Sequence, residues 1–339
     1  MVAIRKNLVN NHRTRLERVI PLDLPLIIFI DPCNMCNFKC DFCAVQSSNR
    51  PLKYKKQIMS MELFQKIIND LSGNKIKTIR FGAQGEPLLN KSLPDMVKYT
   101  KEKCVTEKIE VVTNGSLFEP ELNKKIVNSG VDRIRISIEA VDAEGYQNVS
   151  HINLDFEKFV SNIQDLYKKS RGKCEIYIKT VDIAVNTTEK KERFYSLFES
   201  ICDKINIDNV IPAWSGFDEL EERIEIRDSG VYGQKTKEVM VCPFPFYSCL
   251  ICPDGDVTVC CSDWERKIVI GNVKETSFGS IWNGDKMNSF LLAMLEGKRN
   301  KMSLCSACLY PEYNCIDNLD DFAEEIKNRW TKGKWGKVL

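Results

Sequence analysis

A chain of 339 residues with 43% hydrophobic and 28% charged side chains can bury a substantial core, enough for one large domain and a smaller one. Its 49 Lys and Arg against 47 Asp and Glu create no general positive field, which argues against nucleic acid or an anionic membrane as partner. Two histidines, His12 and His151, leave a Ser-His-Asp site or a His-rich zinc site almost without material, whereas the fifteen cysteines call for an explanation.

Met1 to Ile20 contains no apolar run that would serve as a secretory signal, and no segment approaches the ~20 apolar residues of a membrane span. A cytosolic protein is expected, and there thiols stay reduced, so clustered cysteines read as metal ligands rather than disulfides. The basic opening "RKNLVNNHRTRLERV" and the basic close "KNRWTKGKWGKVL" are expected to be solvated ends.

From Pro25 to about residue 215, short β-rich runs alternate with segments of helical period. The predicted strands are "LIIFID" (26–31), "IKTIRFG" (76–82), "IEVVTNG" (109–115), "RIRISIEA" (133–140), "EIYIKTVDI" (175–183) and "INIDNVIPA" (205–213). Between them lie five helical segments, "SMELFQKIINDLSG", "LPDMVKYTKEKC", "EPELNKKIVNSG", "DFEKFVSNIQDLYKKS" and "EKKERFYSLFESICDKI". The first begins with Ser60 and Glu62 and stops at Gly73, the signature of a capped helix. Six such units fall short of a closed eight-fold barrel, so the expected fold class is α/β: a partial (β/α)6 TIM-like barrel with its chemistry at the C-terminal strand ends. A charged connector, "DELEERIEIRDSG", leads to a second region with eight cysteines from Cys242 to Cys315, in which "PDGD" (253–256) reads as a hairpin tip. The predicted organisation is an N-terminal extension (1–24), the partial barrel (25–217), a connector (218–240), a smaller β-hairpin and helix domain (241–316), and a C-terminal helix with a basic tail (317–339).

The stretch "CNMCNFKCDFC" (33–43) follows the first predicted strand and places four thiols in eleven residues. Three thiolates from one tight loop can hold three irons of a cubane cluster, while a closed four-iron cluster generally takes four cysteines. The fourth iron then stays open to a ligand. A zinc knuckle is the competing reading, but it lacks the second Cys pair or the histidines that such sites use. Cys36-x3-Cys40-x2-Cys43, with Phe42 before the last cysteine, resembles the radical S-adenosylmethionine (SAM) superfamily. The resemblance implies that Cys36, Cys40 and Cys43 bind a 4Fe-4S cluster whose open iron chelates SAM, and that reduction cleaves SAM to a 5′-deoxyadenosyl radical. Cys33, outside the triplet, is expected to be a core thiol.

The same resemblance extends over about Pro25 to Cys308. "Gln84-Gly85-Glu86-Pro87" is similar to the family's Gly-Glu motif, which holds the SAM ammonium and needs glycine for close backbone approach; a plain turn after a strand is the alternative. Asn114 and Ser137 match positions lining the methionine and ribose pockets, and Phe42 the residue touching adenine. Relatives often carry an arginine four residues after a tyrosine here; this chain has Tyr146 followed by Ser150 and His151, so no SAM-carboxylate ligand is assigned.

Cys242-x12-Gly255-x4-Cys260 followed by Cys305-x2-Cys308 resembles the SPASM/twitch auxiliary-cluster region. That resemblance implies one auxiliary 4Fe-4S cluster on Cys242, Cys260, Cys305 and Cys308, with Cys249 and Cys252 as alternative ligands. Only Cys315 follows Cys308, too few for a further cluster, so the shorter twitch form is expected; Trp282 reads as core packing.

The implied enzyme is a radical SAM oxidoreductase that oxidises a carbinol of a small carbohydrate, cyclitol or nucleotide-sugar, passing the electron to the auxiliary cluster; the short ligand set is similar to that of aminocyclitol dehydrogenases. Asp263, just past Cys260, is the candidate general base, with hairpin hydrogen bonding as its alternative role. An epimerase would instead use Cys261 as hydrogen donor. Peptide or protein maturation is a third reading, disfavoured because only about 25 residues precede the first strand, and a multi-cluster electron carrier is a fourth. A flavodoxin or ferredoxin reductant and oxygen sensitivity follow from the resemblance.

Overall fold

The computed structural model describes residues 4–5, 14–47, 52, 54–212, 228–231 and 233–333. His12, residue 213 of the last predicted barrel strand, connector residues 218–227 and the tail 334–339 lie outside the described residues. Ten strands are described: β1 (Ile4–Arg5), β2 (Ile27–Ile30), β3 (Ile76–Phe81), β4 (Thr106–Thr113), β5 (Arg133–Ile138), β6 (Glu175–Val181), β7 (Lys204–Asp208), β8 (Ser248–Ile251), β9 (Asp256–Thr258) and β10 (Val269–Asn272). They form one open sheet in the order β1-β7-β6-β5-β4-β3-β2-β8-β9-β10. Every pairing from β1 to β8 is parallel, and β9 and β10 close the far edge as antiparallel strands.

The six expected barrel strands are β2 to β7, in sequence order. Two departures come at the edges. Ile4–Arg5, expected to be part of a solvated end, pairs with β7, a contact of two residues that is too short to leave a periodic signal. The expected hairpin is β8–β9, but β8 also lies against β2 with Ile27 opposite Ser248 and Ile30 opposite Ile251. The cysteine-rich C-terminal region thereby continues the barrel sheet.

Helices cover one face of this sheet: α1 (Met61–Asp70), α2 (Leu93–Lys103), α3 (Pro120–Asn128), α4 (Ala143–Ser150), α5 (Phe156–Ser170) and α6 (Thr188–Phe198), followed in the C-terminal region by α7 (Asp285–Leu295) and α8 (Ala323–Gly333). In α1 the Ser60 hydroxyl accepts the Leu63 amide at 3.2 Å, and Leu63, Phe64, Ile67 and Ile68 form the buried face. Phe64 packs on Phe81 of β3 with ring centroids 5.7 Å apart, and burying a side chain of that size stabilises by about 2–3 kcal/mol. The helix α4 carries no helical apolar period because only Tyr146 and Ser150 are buried; Asp142 starts it by accepting the Gly145 amide at 2.7 Å. At the C-terminus Ile326 and Trp330 of α8 are buried, and Trp330 meets Phe246 edge-on, so the basic end is docked as far as the described residues reach. Trp282 is buried as expected, its indole donating to the Leu22 carbonyl at 3.1 Å.

Strand alternation divides the two faces. In β5, Ile134, Ile136 and Ile138 are fully buried in the apolar core, while Arg133, Arg135 and Ser137 take the opposite, lumen face. No helix among the described residues is long and apolar enough to cross a membrane.

Candidate active site and cluster centres

The cysteine loop leaves the C-terminal end of β2 and is tied down at several points. The Lys39 and Asp41 amides donate to the Ser150 and Val149 carbonyls at the end of α4, both at 3.0 Å. Phe38 is buried against the edge of Tyr146, 5.8 Å between ring centroids. This holds Cys36, Cys40 and Cys43 near enough to repel one another as thiolates. Burial pushes the Cys36 thiol up to about 12 and raises Cys40 and Cys43 as well. Such thiols ionise when a cation binds them, which is the behaviour of cluster ligands. Cys33 stands apart, its sulfur accepting the Met35 amide at 3.3 Å inside the loop.

The turn after β3 is pressed onto this loop. A Cβ on Gly85 would lie 2.1 Å from the Cys33 carbonyl oxygen and 2.8 Å from that of Met35, so only glycine fits. The Glu86 amide donates to Met35 O at 2.8 Å. The Glu86 carboxylate accepts the Thr113 hydroxyl at 2.6 Å, the Asn114 amide at 2.7 Å and the Leu88 amide at 3.0 Å, which ties this turn to the loop after β4. Burial raises Glu86 to about 7 despite those bonds. Asp31, also buried and raised to about 7, accepts the Ala83 amide at 2.6 Å and thus orients the turn from below. Gln84 points the other way: its amide nitrogen donates to the carbonyls of Cys261 at 3.2 Å and Asp263 at 3.1 Å.

Asn114 donates to Asn37 Oδ1 at 2.9 Å and lies 3.7 Å from the Cys36 sulfur, so it meets the cysteine loop directly. Ser137 lies one strand further, opposite Lys179 of β6. Glu139, two residues on, is buried close enough to Cys40 and Cys43 to disfavour their ionisation, and burial raises it to about 7. Tyr146 is a core residue whose hydroxyl accepts the Glu139 amide at 3.3 Å. His151 pairs with Asp41 of the cysteine loop at 2.8 Å.

In the C-terminal region Cys242, Cys260, Cys305 and Cys308 line one cavity with Pro245, Leu304 and Arg299. Cys249 and Cys252 are fully buried elsewhere, in β8 and at the hairpin turn, and do not line it. The neighbours Cys260 and Cys261 border different spaces: Cys260 lines the four-thiol cavity and Cys261 the barrel lumen. Cys261 is the more acidic of the two, through its hydrogen bond with Cys260 and the nearby Arg80 guanidinium. Asp263 does not line the lumen; its carboxylate is buried and accepts the Lys267 and Ile268 amides at 2.8 and 2.9 Å. That is the hydrogen-bonding role set against the general-base one above. Among the described residues no three His, Cys, Asp or Glu side chains close on a single metal ion.

The lumen itself is a cleft of about 550 Å³ bounded by Phe42 of the cysteine loop on one side and Cys261 on another, with Arg80, Arg133, Arg135, Tyr177, Lys179 and Asp208 among its walls.

The profile of the Radical SAM superfamily matches residues 30–207, more than half of the chain. The chain belongs to the radical SAM superfamily. An iron-sulfur cluster-binding domain of the SPASM type matches residues 242–309, so this is a radical SAM enzyme with a C-terminal SPASM domain. The chain is 23% identical over 286 residues to an S-adenosyl-L-methionine-dependent 2-deoxy-scyllo-inosamine dehydrogenase of Niallia circulans, covering 83% of this chain and 92% of that protein. It is 23% identical over 298 residues to a tungsten-containing aldehyde ferredoxin oxidoreductase cofactor-modifying protein of Pyrococcus furiosus, covering 78% and 82%. Against a probable GTP 3′,8-cyclase of Methanococcus maripaludis identity is 30%, but the chain spans only 37% of that protein's length. The solved structure of BtrN in complex with AdoMet and 2-DOIA shares the fold, with a TM-score of 0.55 at 19% identity over 88% of this chain and 96% of that one.

Radical SAM enzymes require S-adenosylmethionine and a 4Fe-4S cluster, and the SPASM domain binds auxiliary iron-sulfur clusters. The donor set fits them: a loop with three mutually close thiols, and a cavity walled by four. Asp31 escaped the sequence reading because a lone acid at a strand end carries no spacing signal, and Glu139 is marked only by its place at the end of the fourth strand. The lumen cations had one: the alternating Arg133 and Arg135 in "RIRISIEA" put two guanidinium groups on the face away from the apolar core.

Proposed function

We propose that this enzyme takes a hydrogen atom from a small carbohydrate, cyclitol or nucleotide-sugar in the lumen and oxidises its carbinol carbon, the substrate radical losing its hydroxyl proton to solvent and its electron to an auxiliary 4Fe-4S cluster that Cys242, Cys260, Cys305 and Cys308 would hold. The observation that carries it is the lumen's position: one wall is Phe42, between two cysteines of the first cluster loop, and another is Cys261, next to Cys260 of the four-thiol cavity. A substrate there lies between both centres. Cys36, Cys40 and Cys43 would hold the first cluster, which with bound SAM would supply a 5′-deoxyadenosyl radical. Gly85, Glu86 and Asn114 fix the shape of the SAM pocket, and Gln84 holds the Cys261–Asp263 backbone against it. The likeness to the 2-deoxy-scyllo-inosamine dehydrogenase supports a cyclitol-like substrate. A flavodoxin or ferredoxin supplies the reducing electron.

The position of Cys261 on the lumen favours one second reading, epimerisation with that thiol returning hydrogen. Reduced holoenzyme and a candidate substrate in deuterated water separate the two. Oxidation gives product lacking two hydrogens, with turnover retained in Cys261→Ser; epimerisation gives unoxidised product carrying solvent deuterium, lost in the same variant. Absence of 5′-deoxyadenosine from the wild type with SAM and reductant would sink both.

A further inference from the structure

The lumen holds more positive charge than its carboxylates neutralise. Glu110 alone serves Arg80 at 2.7 Å, Arg133 at 2.9 Å and Lys108 at 3.0 Å. Glu175 is shared by Arg133 and Lys204, and Asp208 pairs with Lys179 at 3.4 Å. Among the described residues the cleft wall itself carries four cations, Arg80, Arg133, Arg135 and Lys179, and one carboxylate, Asp208, with Glu110 and Glu175 pairing behind it and Glu139 near Lys179. Arg135 is the residue left over. It makes no ion pair among the described residues, its Nε is buried without a hydrogen-bond partner, and its guanidinium rests 5.4 Å from the Tyr177 ring centroid, on the wall of the cleft. Burial and the Arg80 charge work against its ionised form, while the charges of Glu110 and Asp208, which it does not contact as an ion pair, favour it. Arg135 is partly buried on the cleft wall, and its buried Nε has no protein acceptor, a hydrogen bond that a ligand in the cleft can complete. A guanidinium offers a planar fork suited to an oxyanion, and neighbouring cations strengthen the field on it.

We propose that the lumen is an oxyanion subsite and that the enzyme's small-molecule substrate carries a phosphate ester or carboxylate, seated on Arg135 beside Arg80 and Lys179. The inference rests on the reading of the chain as an enzyme acting on a small molecule in the lumen, and it narrows the substrate class to anions. The cleft of about 550 Å³ is of the size that takes a ligand rather than one trapped ion.

The test titrates anaerobic holoprotein with inorganic phosphate, malonate and, as neutral control, myo-inositol, by calorimetry at fixed ionic strength. Wild type binds at least one anion at millimolar concentration or better and Arg135→Gln weakens it about tenfold or more, as expected for loss of a charged hydrogen-bond partner. SAM affinity stays within about twofold, since a fall as large as that for the anion would assign Arg135 to the cosubstrate's own carboxylate and overturn the proposal. Tighter phosphate assigns an ester, and tighter malonate a carboxylate. Should Arg135→Gln misfold by circular dichroism, Lys179→Met takes its place with the same expectation. No anion binding, or binding that the substitution leaves unchanged, also overturns it. SAM cleavage assayed on the same preparation keeps the two readings apart: cleavage without anion binding rejects the subsite alone, and anion binding without cleavage rejects the radical chemistry alone.

Discussion

Substituting Gly85 by alanine tests whether the turn after β3 sets the shape of the cysteine loop. The added Cβ would sit 2.1 Å from the Cys33 carbonyl oxygen, where ordinary contact begins at 3.4 Å, so one backbone segment must yield by roughly 1.3 Å. Neither neighbour can swing away as a flexible side chain would, because the three nearest atoms are all backbone of Cys33, Asn34 and Met35. Overpacking of this kind costs about 1–3 kcal/mol, and a 1 Å misplacement at a reacting centre costs about a hundredfold in rate. The expectation for Gly85→Ala is a folded protein with SAM cleavage lowered about a hundredfold and the auxiliary cluster still loaded, read as 5′-deoxyadenosine by chromatography and iron per chain. Gly279→Ala is the control: nothing lies within 4 Å of its Cβ, and alanine in a helix is neutral to stabilising by up to about 1 kcal/mol. Wild-type cleavage by Gly85→Ala would refute the coupling between turn and loop.

Glu110 is a second target. Burial alone would raise it, but Arg80, Arg135, Lys108 and Arg133 outweigh that and hold it well below the usual carboxylate range. A depressed carboxylate stabilises the fold above its unfolded value near 4.5 and loses that contribution as pH falls toward the folded value. Wild-type urea midpoints should therefore drop on acidification below about pH 4.5, while Glu110→Gln shows a flatter acid limb and is about 3–5 kcal/mol less stable at pH 7, having left buried cations unpaired. An unaltered acid limb would reject this assignment. The cysteine alternatives separate by iron content: Cys260→Ala should lose about half of the iron, and Cys249→Ala and Cys252→Ala should keep it all. Iron loss in either of the latter would move the ligand set into the hairpin.

Much of this architecture was legible because it is periodic. The strands β2 to β7 and five of the six helices on the barrel announce themselves by apolar alternation or helical spacing, and Ser60 and Gly73 bracket α1. What escaped was held by tertiary contact: the two-residue β1, the polar helix α4, and the pairing of β8 with β2. The site divides the same way. Cysteine spacing exposed both thiol groups, and a glycine in "GAQGEP" signalled close approach, whereas the partners of Asp31, Gln84 and Glu86 depend on which loops meet at the barrel mouth. Asp263, a candidate base from its place beside a cysteine region, accepts one backbone amide on each oxygen, contacts that proximity in sequence does not announce.

The central claim is that Cys36, Cys40 and Cys43 hold a cluster with one iron left open to SAM. Iron analysis with electron paramagnetic resonance of anaerobic, reduced protein tests it most directly. Wild type should contain about eight irons per chain and show a spectrum that changes on adding SAM, and Cys40→Ala should retain about four, with no response to SAM and no 5′-deoxyadenosine. Zinc in place of iron, or a Cys40→Ala protein that still responds to SAM, would contradict it.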